Sequence, residues 1–180
     1  MQWRVRQAGV ADADLLSLVA NATFLDTYAP SLEGADLLAH CLKNNRAEAF
    51  AVWLADPATI VTVAEIEPGH APLGYAVLTA PNFPIALEPT DMELRRIYSL
   101  RQAHGTGLGP ALMARAIEDA TRIGARRLLL GVWEQNARAR AFYERHGFRV
   151  IGTREFQVGS EVHIDPIYAL DLSSRVSASA

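Results

Sequence analysis

The chain has 180 residues and a formal charge of −3, with half its residues apolar and 21% charged. That balance suits one soluble domain with its own core and excludes a disordered or fibrous chain. No dense Lys/Arg run marks a nucleic-acid face, and no apolar stretch approaches a membrane span; Lys43 is the only lysine. Cys41 is the only cysteine, so no intramolecular disulfide forms and a reducing compartment is the simpler reading. It stands beside His40 without further ligands at metal-finger spacing, so it reads as a small packed side chain and no metal site is expected. The start, Met-Gln-Trp-Arg-Val-Arg, lacks the apolar core of a signal peptide, and a cytoplasmic protein is expected.

Trp3 to Arg6 alternates as a first strand. Asp12 and Asp14 open a helix whose apolar face is expected to be Leu15, Leu18, Val19, Ala22 and Leu25, broken at Ala29-Pro30-Ser31. Further helices are predicted over Ala35–Leu42 and Ala47–Leu54, ended by Asp56-Pro57. Thr59–Glu65 and Leu73–Thr79 read as antiparallel strands across the turn Glu67-Pro68-Gly69-His70. A Pro-rich loop leads to a longer strand, Met92–Leu100, then the glycine loop Gly105-Thr106-Gly107-Leu108-Gly109. The next helix runs to about Ile123 with Leu108, Leu112, Ala116, Ala120 and Ile123 at helical period. Arg126–Val132 is a buried strand and Asn136–His146 a short helix stopped by Gly147. Phe148–Glu155 and Val162–Leu170 read as closing strands. One domain over 1–172 is expected, with a disordered Ser/Ala-rich tail over 173–180.

Strand, glycine loop and helix together suit a pyrophosphate. Glycine tolerates positive φ and lets backbone N–H groups approach a ligand. The helix adds unpaired N–H groups and the positive end of its dipole. No Gly-Lys-Ser/Thr follows, so this is not a Walker A loop, and Pro110 stands where a dinucleotide loop carries Gly or Ala. Pro110 fits the first turn of a helix. Taken alone, the loop is equally readable as a tight turn that binds nothing.

Neighbouring segments decide between those readings. The run Glu93–Leu170 resembles the GNAT acetyltransferase family, whose pyrophosphate loop reads Gln/Arg-x-x-Gly-x-Gly/Ala. The matching segment is His104-Gly105-Thr106-Gly107-Leu108-Gly109, after the central strand Leu94-Arg95-Arg96-Ile97-Tyr98-Ser99-Leu100. Trp133-Glu134-Gln135-Asn136, Ala139 and Phe142-Tyr143-Glu144-Arg145-His146-Gly147-Phe148 are similar to the family's second motif. His104 departs from the pattern, keeping the loop's backbone donors while changing the side chain.

The resemblance implies a mixed, mostly antiparallel α/β sheet with helices on both faces. It implies acetyl-CoA as cosubstrate, held by Ile97, Tyr98, Ser99, His104, Gly105, Thr106, Gly107, Leu108, Gly109, Asn136 and Tyr143. It implies Glu93 as general base, backbone donors near Tyr98 for the oxyanion, and Tyr143 as proton donor to the leaving thiolate. An amine must be neutral to attack, yet its ammonium has a pKa of about 10.4, which is why a base is needed. The residues alone leave other readings open: Asn136 as a helix N-cap, Tyr143 as packing, Glu93 as the partner of Arg95 on the same strand face.

Glu-Leu-Arg-Arg-Ile-Tyr, Gln157-Val158-Gly159, Thr23-Phe24 and Asp26-Thr27-Tyr28 look like the polyamine N-acetyltransferase branch. A polyamine site needs acidic walls, for which Asp26, Glu33, Asp36 and Glu88 are candidates. The expected acceptor is a small primary amine, with no nucleic-acid or membrane partner and a homodimer left open. The competing reading is a non-catalytic acyl-CoA-binding regulatory module; the presence of both Glu93 and Tyr143 favours an enzyme. A nicotinamide-dependent oxidoreductase needs a longer chain and the dinucleotide spacing.

Overall fold

In the computed structural model, which describes residues 1–158 and 161–173, the elements follow the periodicities closely. They are β1 (Trp3–Gln7), α1 (Ala13–Tyr28), α2 (Gly34–Asn44), α3 (Ala47–Ala55), β2 (Ile60–Ile66), β3 (Pro72–Thr79) and β4 (Asp91–Ser99). There follow α4 (Leu108–Arg122), β5 (Arg127–Gly131), α5 (Ala137–Arg145), β6 (Arg149–Val158) and β7 (Glu161–Asp171). Short 3-10 turns at Val10–Asp12 and Arg101–Ala103 are additions that apolar periodicity does not signal. The strands join in the order β1-β2-β3-β4-β5-β7-β6. β1–β2, β2–β3, β5–β7 and β6–β7 pair antiparallel, and β4–β5 pairs parallel, giving the mixed, mostly antiparallel α/β sheet that was expected. The expected tail beyond Ser173, and Gly159 of the branch segment, lie outside the described residues.

The chain forms two compact units, Met1–Leu78 with Arg96–Ala116, and Thr79–Arg95 with Ile117–Ala180. In the first, Leu16, Val19 and Ala20 of α1 and Phe50 of α3 pack on Val61 and Val63 of β2 and Tyr75 and Val77 of β3. Alternation puts these strand residues on one face, and the register pairs Val61 with Val77 and Val63 with Tyr75. Thr62 and Ala64 are buried as well, so β2 is covered on both faces. Each fully buried Val, Leu or Phe contributes roughly 1.5–3 kcal/mol.

The expected face of α1 is rotated. Leu16, Val19, Ala20, Thr23 and Phe24 are buried, whereas Leu18 and Leu25 are 64% and 56% exposed. Apolar residues surround this helix, so the leucines do not define its phase. Thr23 enters the core because its Oγ1 donates to the Val19 carbonyl at 2.8 Å, satisfying the hydroxyl within the helix. Ile123, expected on the buried stripe of α4, is 48% exposed; Met113 and Ile117 are buried instead. The helix ends at Arg122, so Ile123 no longer follows its period.

At the β1–β2 edge, Glu65 is buried between Arg4 and Arg6, and Arg6 also forks onto Asp12 at 2.7 and 2.8 Å. The hydrogen bond from Arg6, opposed by burial and reinforced by Arg4, holds the Glu65 carboxyl below its ordinary range.

In the second unit, Leu129 and Ile167 pack with Phe83, which the Pro-rich loop lays over them. Gly131 lies under Arg154: a Cβ there would stand 2.7 Å from the guanidinium carbon and push that flexible side chain aside, and the same guanidinium lies 5.4 Å from the Phe83 ring. Gly147 stops α5 with φ +91°, the left-handed conformation expected of a C-terminal glycine.

Candidate active site

The first unit carries the β4 end and the glycine loop. Gly74 of β3 permits an unusually close backbone approach, since a Cβ there would lie 2.6 Å from the Tyr98 carbonyl oxygen. The Tyr98 ring stacks on Tyr75 at 5.9 Å, and its hydroxyl lies 3.4 Å from that of Tyr28 on α1. Arg96 donates to Asn45 Oδ1 at 2.8 Å and the Asn44 carbonyl at 3.1 Å, with its guanidinium 4.9 Å from the Trp53 ring. These contacts fix β4 against α2 and α3. His40 stacks on Phe24 at 3.9 Å; burial, then the charge of Arg96, push its pKa down to about 4. This ring is therefore neutral at physiological pH.

Asp26 of α1 holds the entry to the glycine loop. Its carboxylate accepts from the Arg101 backbone N–H at 3.0 Å, and its carbonyl accepts from Arg101 Nη2 at 2.7 Å. Gly105 and Gly107 have φ of +80° and +87°. An added Cβ at Gly105 meets nothing within 4 Å, so backbone conformation rather than space calls for glycine there. At Gly107 the nearest atom would be Trp3 Cζ2 at 3.8 Å. Thr106 closes the turn by donating its hydroxyl to the Ala103 carbonyl at 2.7 Å. The α4 ladder opens with Ala111 N–H donating to the Gly107 carbonyl at 3.1 Å. The N–H groups of Leu108 and Gly109 precede that ladder, and Pro110 brings none. Leu108 is fully buried and anchors the turn, while His104 through Gly107 are exposed. An exposed, left-handed glycine turn with N–H groups at a helix start matches the needs of a pyrophosphate, so the chain fits coenzyme A at this loop.

The second unit carries the ionisable candidates. Glu93 is 5% exposed, and its Oε2 accepts from Asn82 N–H at 3.1 Å and Arg95 Nη1 at 3.3 Å. Burial raises its pKa, against the opposing charge of Arg95, the Asn82 hydrogen bond and the charge of Arg154. It is thus the partner of Arg95, as its strand face suggested, but buried rather than solvated. Asn136 caps α5: its Oδ1 accepts from Ala139 N–H at 3.0 Å. Tyr143, two turns along, is half-buried, with ring centroids 5.6 Å from Phe142, 5.9 Å from Phe148 and 6.3 Å from Tyr168.

Of the expected residues, Ile97, Tyr98, Ser99 and His104 to Gly109 thus fall in the first unit, and Glu93, Asn136 and Tyr143 in the second. Sequence reading missed the Asp26–Arg101 tie, the Asn82 N–H on Glu93, and the Arg140–Tyr168–Glu144 bridge that holds α5. Only the last left a trace, an Arg and a Glu at i,i+4. Among the described residues no group of three or more His, Cys, Asp or Glu side chains could hold a metal ion, and no helix is long and apolar enough to cross a membrane.

A model of the acetyltransferase (GNAT) family matches residues 25–148, which include β4, the glycine loop and all of α5. An uncharacterised N-acetyltransferase of Mycobacterium bovis is 34% identical over 163 residues, covering 91% of this chain and 99% of the relative. The PaiA N-acetyltransferase of Thermoplasma acidophilum, solved in complex with coenzyme A, matches with a TM-score of 0.78 at 20% identity, over 95% of this chain and 99% of that one. YncA of Salmonella typhimurium, a putative acetyltransferase solved with its cofactor acetyl-CoA, matches with a TM-score of 0.65 at 22% identity, over 96% and 95%. At these identities the two solved structures speak to the fold. The family model and the 34%-identical relative together define an acyl-CoA-dependent transferase. The chain belongs to the GNAT family of acetyl-CoA-dependent N-acetyltransferases.

Proposed function

We propose that the protein acetylates a small primary amine by direct attack on acetyl-CoA, with a polyamine as the leading acceptor. The observation that carries this reading is the paired left-handed glycines, Gly105 and Gly107, immediately before the first hydrogen bond of α4. Backbone N–H groups of this loop, flanked by His104 and Thr106, hold the pyrophosphate, and Asn136 contributes a further contact from the start of α5. Acetyl-CoA supplies the activated thioester carbonyl. Backbone groups of Ile97, Tyr98 and Ser99 orient the acetyl end and stabilise the oxyanion.

Glu93, directly or through water, takes a proton from the acceptor ammonium. Burial raises its pKa toward the range useful for a base at neutral pH. The neutral amine nitrogen bonds to the acetyl carbon to give the oxyanion, which collapses as the C–S bond breaks while the nitrogen releases its second proton to water. Tyr143 donates its hydroxyl proton to the departing thiolate, an ordinary thiol having a pKa of about 8.5. The acidic character a polyamine requires is supplied by Glu33 and Asp36, both exposed at the start of α2, and by Glu88, exposed in the Pro-rich loop. Asp26 is engaged with Arg101 and contributes less.

Thiol release from acetyl-CoA, measured against polyamines, aminoglycosides, amino acids and peptide amino termini, tests the acceptor. Spermidine is expected to give the highest kcat/KM. Turnover with peptides or aminoglycosides and none with spermidine discards the polyamine reading, and binding of acetyl-CoA with no turnover on any amine favours a regulatory module.

A further inference from the structure

The helix that carries Asn136 and Tyr143 has little apolar anchorage of its own. Of the nine residues of α5, all among those described, none is buried. Phe142 and Tyr143 are half-buried, with the Tyr143 ring against Phe148 and Tyr168, and polar contacts complete the anchorage. Asn136 caps one end, His146 Nδ1 meets the Phe142 carbonyl at 2.8 Å near the other, and between them stands one hydroxyl from β7. Tyr168 is fully buried. Its Oη accepts from Arg140 Nε at 3.2 Å and donates to Glu144 Oε1 at 2.9 Å. Arg140 also reaches the Glu134 carbonyl at 3.4 Å, fastening the segment that leads into the helix.

Arg140 and Glu144 are four residues apart and face the same way, so the Tyr168 hydroxyl spans one turn of α5. A single hydroxyl that accepts from one side chain and donates to the other fixes both the height and the rotation of the helix against β7. Tyr143 precedes Glu144 directly, and its ring lies 6.3 Å from that of Tyr168.

We propose that Tyr168 is a positioning residue for the acetyl transfer, setting through Arg140 and Glu144 the register of α5 and thereby the aim of the Tyr143 hydroxyl. This rests on the reading of Tyr143 as the proton donor. Tyr168→Phe keeps the ring and its packing and removes only the shared hydroxyl. A loosened α5 misplaces the donor by a fraction of an ångström to an ångström, an error that geometry-dependent steps register strongly.

The test is a double-mutant cycle on kcat, with thiol release from acetyl-CoA and a saturating amine, using Tyr143→Phe, Tyr168→Phe and the double variant. Tyr168→Phe is expected to lower kcat about ten-fold with KM for acetyl-CoA changed less than about two-fold. In the Tyr143→Phe background it is expected to cost almost nothing more, because no donor remains to be aimed. Glu144→Ala breaks the same bridge from an exposed position and is expected to act in the same direction, which keeps the test sound if Tyr168→Phe folds poorly. Multiplicative losses in the cycle, or an unchanged kcat in both Tyr168→Phe and Glu144→Ala, overturn the positioning role. An unchanged kcat in Tyr143→Phe itself overturns the donor reading instead, so the two failures are distinct.

Discussion

The two helices that bracket β5 are held by different forces. α4 is an amphipathic helix with Leu108, Leu112, Met113, Ala116, Ile117 and Ala120 buried, so its place follows from apolar area. α5 has no buried residue among its nine; it is capped by Asn136, and beside the half-buried Tyr143 ring on Phe148 and Tyr168 it is tied to β7 by the Arg140–Tyr168–Glu144 bridge. Apolar burial is strong and tolerant of small displacement, whereas hydrogen bonds are weaker and set distance and angle sharply. The glycine loop needs a rigid base, which the first helix gives. The proton donor proposed for Tyr143 needs aim, which the second gives.

Stability should separate the two helices most widely. Leu112→Ala in α4 removes a fully buried side chain and is expected to cost roughly 2–5 kcal/mol of unfolding free energy. If denaturant unfolding gave less than about 1 kcal/mol, α4 would not be the anchor described here. Activity should separate them in the opposite sense. Tyr143→Phe is expected to lower kcat about 100-fold, about 2.7 kcal/mol of transition-state stabilisation, with the melting temperature nearly unmoved. A core role predicts a lower melting temperature and an unaltered kcat. Smaller still is Asn136→Ala, which removes the cap and is expected to cost about 1 kcal/mol of stability. It should also raise KM for acetyl-CoA, and a change confined to stability would reduce Asn136 to a cap alone.

At Glu93 the effect on stability depends on pH, which gives its sign. Its folded pKa lies above the unfolded value, so ionising it opposes folding. Relative to Glu93→Gln, wild-type stability should therefore be highest below the unfolded carboxylate pKa and fall as pH rises through the interval up to the folded value. Catalysis runs the other way: kcat/KM should fall as pH drops through that raised pKa, and Glu93→Gln should lose that acid limb together with most of its activity. If the variant keeps both its rate and the acid limb, Glu93 is a structural partner of Arg95 and not a base.

Much of the fold is legible in the sequence. The strand and helix bounds lie within one or two residues for β2, β3, α4 and α5, because alternation, apolar period and the stop at Gly147 agree there. The phase of α1 was not legible, since Leu15, Leu16, Leu18, Val19, Phe24 and Leu25 spread apolar side chains around most of the helix and only tertiary packing chooses among them. At the site, the glycine loop was readable from its spacing and the cap from Asn136 alone. Contacts such as Asp26 with Arg101, Arg96 with Asn45, and Tyr168 with Arg140 join residues 28 to 75 positions apart, a separation no local pattern carries. Burial of Glu93 was equally hidden, because it depends on the Pro-rich loop folding back to give it the Asn82 N–H.

The claim beneath all of these is that the His104–Gly109 loop receives the pyrophosphate. The melting temperature of the wild type and of Gly107→Val, followed as acetyl-CoA is raised, tests it most directly. The wild type should be stabilised progressively, by about 2.7 kcal/mol at a hundred times the dissociation constant, because the ligand binds only the folded state. Gly107→Val, whose side chain opposes the +87° φ and crowds the approach to the loop, should remain folded by circular dichroism and show no shift. A wild type that does not respond to saturating acetyl-CoA, or a folded variant that responds equally, would contradict the account.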